Sequence, residues 1–439
     1  MSPPTLAFKR EIPVRHVVDV FVAGGGPSGI AASLAAARQG ASVFIAEGQA
    51  CFGGMGTAGL VPAFMCFTDG VNFLADGIGR EVYERTKRYA DTPRDDPANS
   101  VSINVEALKR VYDDLVREVR NISFTFLTQI IGVETEGGHV THAICAAKSG
   151  LYAVKATVFI DGTGDGDLAT WAGAPYEKGD AQGHMMPGTL CSLWAGVDWD
   201  RASAPQSSGL ERAFADGIFT IQDRHLPGMW PVGRHMGGGN VGHTFGVDGT
   251  DERSLTQALL WGRASMAEYE TYYKTYLEGF EEMTLAATGA LLGLRETRRI
   301  LGDYVLNLED FKTRAVFEDE IGRYNYPVDI HASTPSNEDF AKFEEEFRSL
   351  RYGRGESYGI PYRILTPQNL DNVLVAGRCV STDRFLQGSL RVMPGCYITG
   401  QAAGIAASLA VASKSSVRAV DVRALQAGLK AMGAYLPNA

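Results

Sequence analysis

The sequence is poor in paired cysteines. Its six thiols (Cys51, Cys66, Cys145, Cys191, Cys379 and Cys396) are scattered, and none forms a Cys-x-x-Cys pair. That excludes an iron–sulfur ligand set and a dithiol redox centre, and most of these thiols are expected as reduced core residues. Positive charge is also short, with 41 Lys and Arg against 51 Asp and Glu and a net charge of -10. A nucleic-acid partner needs a basic surface from which counterions are released, so none is expected. Long apolar runs are missing too. The stretches around 30–37 and 402–412 read as too short and too rich in Ala and Gly to span a bilayer, and residues 1–16 hold no apolar segment of signal-peptide length. A soluble, cytoplasmic protein without a membrane partner is the expectation. Repeats and low-complexity tracts are lacking.

What is present suits an ordinary folded chain: 45% apolar and 21% charged residues over 439 positions. That length exceeds what one hydrophobic core usually serves, so two domains are expected. VVDVFVAGGG reads as a buried strand running into glycines, GIAASLAAARQG as a helix ended by Gly40, and ASVFIAE as a second strand. Together they form a βαβ unit of the length a dinucleotide motif needs. Residues 51–70 read as a Gly-rich loop near a ligand, and NVEALKRVYDDLVREV as an amphipathic helix. Residues 123–160 read as a meander returning to the strand ATVFIDGTG. Between about 180 and 360 the texture changes to mixed aromatics, histidines and charges, with helical stretches at 251–301 and 336–351. NVLVAGR (372–378) and a helix at 399–412 restore the first texture.

Gly24-x-Gly26-x-x-Gly29 sits at the strand-to-helix turn, where glycines permit the tight turn, close approach of backbone to a pyrophosphate, and close helix packing. Pro27, Ser28 and the residues after them open a helix whose free N–H groups and dipole favour phosphate. Glu47 ends the second strand, placed to accept from ribose hydroxyls and to repel a 2′-phosphate. This motif alone serves FAD or NAD equally.

Four segments in order resemble the bacterial FAD-dependent oxidoreductase family, related to glutathione reductase and to the flavoproteins of succinate dehydrogenase and fumarate reductase. They are the fingerprint with Glu47; Gly53-Gly54-Met55-Gly56-Thr57; Asp161 to Asp167; and Val375-Ala376-Gly377-Arg378 through Gly388-Ser389-Leu390-Arg391-Val392-Met393-Pro394 to Gly404. The resemblance implies an α/β fold: a Rossmann-like FAD-binding domain of the glutathione reductase and fumarate reductase type, interrupted by an inserted α+β substrate or capping domain. The nucleotide domain would comprise 1–180 and 361–439, and the insert 181–360. FAD is the implied cofactor, held by Gly24, Gly26, Pro27, Ser28, Gly29, Glu47, Gly48, Gly53, Gly54, Met55, Thr57, Gly162, Gly164, Asp165, Gly377, Arg378, Gln401 and Ala402, with a helix starting near Gly400 aimed at the flavin's pyrimidine oxygens. The family pattern has Asp or Glu where this chain has Arg378, which then donates to flavin phosphate or substrate, or pairs with a nearby acid.

For chemistry, Arg391 falls where fumarate-reductase relatives carry a substrate-binding arginine, and it is the leading catalytic candidate. His184 matches loosely a His-Pro-Thr element of those relatives, and His243 and His235 lie in a Gly-rich loop; His243 ranks ahead of His235. No metal-ligand spacing is written in the sequence, so no metal is expected. LRETRRILGDY (294–304) reads as a helix with Arg295, Arg298 and Arg299 on different faces and Glu296 in a solvated ion pair, so two of the three arginines read as structural. Cys51 is weighed for covalent flavin attachment against a buried structural thiol. The resulting expectation is hydride transfer between flavin N5 and a small hydroxyl- or carboxylate-bearing substrate, with a homo-oligomer allowed and the electron acceptor open. The alternatives are a flavoprotein subunit passing electrons to a partner protein or quinone, or a non-redox flavin enzyme.

Overall fold

Strand β1 (Val14–Ala23) buries only its second half, and from Val20 to Ala23 it lies at the centre of a parallel sheet. The computed structural model describes residues 5–91, 93–336, 338, 341, 345, 346 and 349–439. In that sheet Ile122–Thr125, β2 (Val43–Ala46), β1, Gly150–Asp161 and Val373–Val375 run parallel in that order. The first half of Gly150–Asp161 also pairs antiparallel with His139–Ala147, which pairs with Gln129–Glu136, giving the expected meander. The register aligns Ala23 with Ala46 on one side and with Asp161 on the other, and Asp161 with Val375. Strand C-termini therefore end at one edge, where open α/β sheets bind ligands.

Helix α1 (Pro27–Arg38) is nearly all Ala, Gly, Ser and Leu because it is crossed at close range. A Cβ at Gly400 would stand 2.3 Å from the Ser28 carbonyl oxygen, and one at Gly404 2.2 Å from that of Ala32. These glycines belong to the helix Met393–Ser413, which packs on α1 and has most of its surface buried. At 21 residues it is long and apolar enough to span a bilayer, longer than the sequence suggested, but its apolar surface is spent on this core. It begins at Met393 rather than near Gly400, because Pro394 fits the first helical turn, where a missing N–H costs nothing.

The inserted segment has its own core. Strands Gly228–Gly233, Met236–Asn240, Ser192–Ala195 and Thr284–Thr288 form an antiparallel sheet in that order. Helix Glu252–Tyr276 covers it, and Trp194, Tyr269, Tyr272, Tyr273, Phe280 and Met283 fill the space between. The helix ends at Tyr276 rather than running to 301, since Leu277 is extended and the chain turns back into a strand. From Ile300 to Ile360 the buried residues join the first core instead, including Ile300, Phe311, Ile321, Tyr324, Tyr358 and Ile360. The charged stretch at 336–351 falls in large part outside the described residues.

Candidate functional site

Where the strands end, an elongated cavity of about 650 Å³ runs from β2 to the insert. Gly24 turns the chain there with φ +86°, and a Cβ on it would meet the Gly162 carbonyl oxygen at 2.9 Å, so the β1–α1 turn and the Asp161 turn touch through bare backbone. A Cβ on Gly29 would meet the Gly24 carbonyl oxygen at 1.9 Å. Glycine at both positions brings α1 close enough to present its N-terminus to the cavity.

At the β2 end stands Glu47, only 6% exposed. Its carboxylate accepts from Gly25 N–H and Gln49 N–H, each at 2.6 Å, and burial raises its pKa against those two bonds. Gly48, Thr128 and Gln129 line the same end. Next come Gly26, Pro27 and Ser28 at the start of α1, which has no side-chain cap and no acid in its first turn. Across from them are Gly54 and Met55, then Gly162, Gly164 and Asp165. The far end holds Val392, Met393 and Cys396 at the opening of the last long helix.

These residues fit an extended dinucleotide such as FAD. A Cβ added to Gly26 would find nothing nearer than 4.0 Å, leaving open space for a ligand rather than packed protein. A buried acceptor lies at one end, an uncapped helix start in the middle, and a second helix start at the other end. Gly24, Gly26, Pro27, Ser28, Glu47, Gly48, Gly54, Met55, Gly162, Gly164, Asp165 and Arg378 all line the cavity.

The remaining nucleotide candidates are not among the lining residues. Gly29 is packed inside the turn, and Gly53 donates to the Gly25 carbonyl at 2.8 Å. Thr57 donates its hydroxyl to the Phe52 carbonyl at 2.5 Å, and Gly377 donates to Thr399 Oγ1 at 3.1 Å. Gln401 and Ala402 do not line the cavity either. The early helix start puts them two turns in, where Gln401 donates to Asp76 O and accepts from Ile78 N–H, both at 3.2 Å, and Ala402 is fully buried. Val392, Met393 and Cys396, at the start of that helix, line the cavity instead. Arg378 pairs with Asp165 and donates to Gly164 O at 2.9 Å and Leu294 O at 2.7 Å, so it ties the Asp161 loop to the insert. Cys51 is half-buried with its thiol pKa pushed up by burial, Sγ lies 3.8 Å from Thr57 Oγ1, and it does not line the cavity.

Beside Val392, Met393 and Cys396, the insert and the last helix bring together Arg295, Arg391, His225, His331, Tyr326 and Asp329. Arg391 donates to Asp329 Oδ2 at 2.8 Å, while its buried Nε has no partner among the described residues. Arg295 is 7% exposed and donates only to neutral oxygens, Pro187 O and Thr189 Oγ1 at 2.9 Å and Asn240 Oδ1 at 3.4 Å. Among the described residues no carboxylate is within 4.0 Å of it. Burial, followed by the neighbouring Arg391, pushes its pKa down to about 10. The other two arginines are neutralised, Arg298 by Asp167 at 2.6 Å and Arg299 by Glu296 at 2.5 Å. The segment is not a helix: Arg298–Ile300 is a strand paired with Tyr176–Lys178, and each arginine follows its own partner. Glu296 is 1% exposed and also accepts from Arg384 at 3.1 Å and Met186 N–H at 3.0 Å, so its ion pair is buried rather than solvated.

The histidine candidates separate. His184 is on the surface, its side chain 64% exposed and 3.7 Å from Asp180, on a turn that Asp180 closes by accepting from His184 N–H. It does not reach the cavity. His235 is exposed at the hairpin between Gly228–Gly233 and Met236–Asn240. His243 is buried one layer behind the wall, Nδ1 on Asp223 Oδ2 at 2.7 Å and Nε2 facing His331 Nδ1 at 3.2 Å. His225 and His331, which line the cavity, share a sequence signal: each is the end of an Asp-x-His triplet, Asp223-Arg-His225 and Asp329-Ile-His331.

The family model described as FAD dependent oxidoreductase matches residues 19–429 of the chain. No curated protein matches it. Among solved structures, p-nitrophenol 4-monooxygenase PnpA from Pseudomonas putida DLL-E4 is similar at 11% identity and TM-score 0.48, covering 96% of this chain and 91% of that one. A geranylgeranyl bacteriochlorophyll reductase-like protein from Thermoplasma acidophilum is similar at 13% identity and TM-score 0.43, covering 95% and 83%. The myxobacterial chondrochloren halogenase CndH is similar at 13% identity and TM-score 0.44, covering 95% and 79%.

Proposed function

Because the chain belongs to the FAD-dependent oxidoreductase family, we propose that it acts as a dehydrogenase or oxidase on a small hydroxyl-bearing carboxylate such as a hydroxy acid or sugar acid. FAD supplies a two-electron acceptor at N5 of its ring. The observation that carries the reading is Arg295, a buried guanidinium on the cavity wall whose hydrogen-bond partners among the described residues are all neutral. An uncompensated buried charge costs several kcal/mol, and an anion entering the cavity removes that cost. Arg391 faces the same space with an unpaired Nε. The two guanidiniums would clamp a carboxylate, fixing the carbon to be oxidised against the flavin end.

The hydroxyl oxygen would then lie toward His225 and His331. When bound, FAD would take up the hydride as the alcohol carbon becomes a carbonyl, and His225 and His331 would line the side on which the hydroxyl proton leaves. Leu255, Leu259 and Leu292 of the insert line the cavity and help keep water from the reacting atoms.

The reading is tested by titrating the oxidised flavoprotein with short hydroxy carboxylates and with their neutral alcohol counterparts, following perturbation of the flavin spectrum. Carboxylates are expected to bind at least about tenfold more tightly, the worth of one charge-assisted contact. Equal binding of both series would sink it.

A further inference from the structure

The histidines at the insert side of the cavity form a second grouping with a chemistry of its own. His225, His243 and His331 come from three separate segments, yet one ring nitrogen from each lies within 4.8 Å of the other two. His243 Nδ1 sits on Asp223 Oδ2 at 2.7 Å, and His331 Nε2 is 3.4 Å from Asp329 Oδ1. An ionised carboxylate only accepts, so both of those nitrogens carry the proton. The remaining nitrogens, His243 Nε2 and His331 Nδ1, then bear lone pairs, and they face each other across 3.2 Å. Two lone pairs at that distance repel unless a cation lies between them.

We propose that His225, His243 and His331 bind a divalent first-row transition-metal ion of the zinc class, with its open coordination positions facing the cavity.

A shared proton would join only two rings; a metal ion uses all three. With metal–nitrogen bonds of about 2.1 Å, a 3.2 Å separation subtends roughly 100°, between the octahedral and tetrahedral angles. Asp223 and Asp329 hold the far nitrogens as carboxylates do behind metal-bound imidazoles, fixing tautomer and ring orientation. Burial disfavours the charged form of all three rings, and the neutral imidazole is the form that ligates. Among the described residues, the charges around the rings include Arg295 and Arg391 and the opposing Asp223 and Asp329. Imidazole donors suit zinc, iron, copper and nickel rather than magnesium or calcium, and three protein ligands with an open position is the arrangement of a reactive site. His225 and His331 line the cavity, so a hydroxyl or carboxylate oxygen of the bound molecule can complete the set. The assignment rests on the three rings and their carboxylates, and it stands or falls independently of the redox reaction.

The test is equilibrium dialysis of chelator-treated, flavin-loaded enzyme against Zn²⁺, with bound metal counted by mass spectrometry. The wild type is expected to take one Zn²⁺ per chain. His243→Ala and His331→Ala are expected to weaken it at least about 100-fold, and Asp223→Asn, which keeps every ligand, about 10- to 100-fold. His142→Ala, on the meander, is expected to change nothing. Flavin content verifies each variant's fold. X-ray absorption of the zinc-loaded wild type needs no variant and is expected to show imidazole scattering from three histidines. No stoichiometric zinc in the wild type, zinc binding unchanged in His243→Ala and His331→Ala with flavin retained, or a first shell of oxygen alone would overturn the proposal.

Discussion

Arg391 and Asp329 form a one-sided pair: one terminal nitrogen of the guanidinium reaches the carboxylate at 2.8 Å, and the buried Nε on the same group reaches nothing among the described residues. Asp329 is shared with His331, so the arginine is held in place without being fully satisfied. Replacing it should cost the ligand, not the fold. Arg391→Met is expected to weaken binding of a hydroxy carboxylate about 10- to 100-fold, the range of a charged hydrogen bond, with Arg391→Lys recovering part of that. Flavin-perturbation titration measures it, and unchanged affinity in Arg391→Met would place the arginine outside the substrate site.

Arg295 predicts a trade between stability and binding. Its charge is buried with no carboxylate within 4.0 Å among the described residues, so Arg295→Met removes a cost of a few kcal/mol while orphaning the Thr189 and Asn240 contacts. The thermal midpoint of the ligand-free protein is expected to hold or rise, and KM for the carboxylate to rise about tenfold or more. A fallen midpoint with KM unchanged would make Arg295 structural.

Glu47 is the acceptor at the nucleotide end, and its carboxylate also holds two backbone N–H groups at 2.6 Å. Glu47→Ala is expected to weaken FAD binding about tenfold or more, read from recovery of flavin fluorescence on dilution. Retained affinity would assign it to shaping the loop alone.

Asp161 gives a pH dependence. It is fully buried, and burial, against hydrogen bonds from Ala169 and Thr163, pushes its pKa up to about 6. A carboxyl whose folded pKa is raised binds more protons in the native state, so this contribution to stability is present at low pH and is lost as pH rises from about 4 to 6. Asn is neutral throughout. Asp161→Asn is therefore expected to gain on the wild type as pH rises across that window, by at most about 3 kcal/mol in unfolding free energy. A difference flat between pH 4 and 7 in denaturant titrations would contradict the assignment.

The nucleotide half was legible because local rules govern it. Gly24, Gly26, Gly29 and Glu47 lie on one βαβ unit of contiguous sequence, and the structure builds that unit as read. The start of the last helix is not legible from the apolar run beginning at 399, because the helix opens at Met393, where Pro394 sits in its first turn. The substrate end was less legible, since its partners are set by tertiary contact. Arg295, Arg298 and Arg299 sit within five residues, and only their acids, Asp167 and Glu296, show which arginine is left uncompensated. His331 is 88 positions from His243, a pairing no local pattern announces, although the two Asp-x-His triplets mark two of the three histidines.

The most direct measurement of the central claim is anaerobic mixing of the flavin-loaded enzyme with a panel of hydroxy carboxylates in a stopped-flow spectrometer. At least one is expected to bleach the oxidised flavin band without any nicotinamide, and the bleaching is expected to slow when the carbon bearing the hydroxyl carries deuterium. Flavin that stays oxidised with every such compound and is reduced only by NADH or NADPH would contradict it.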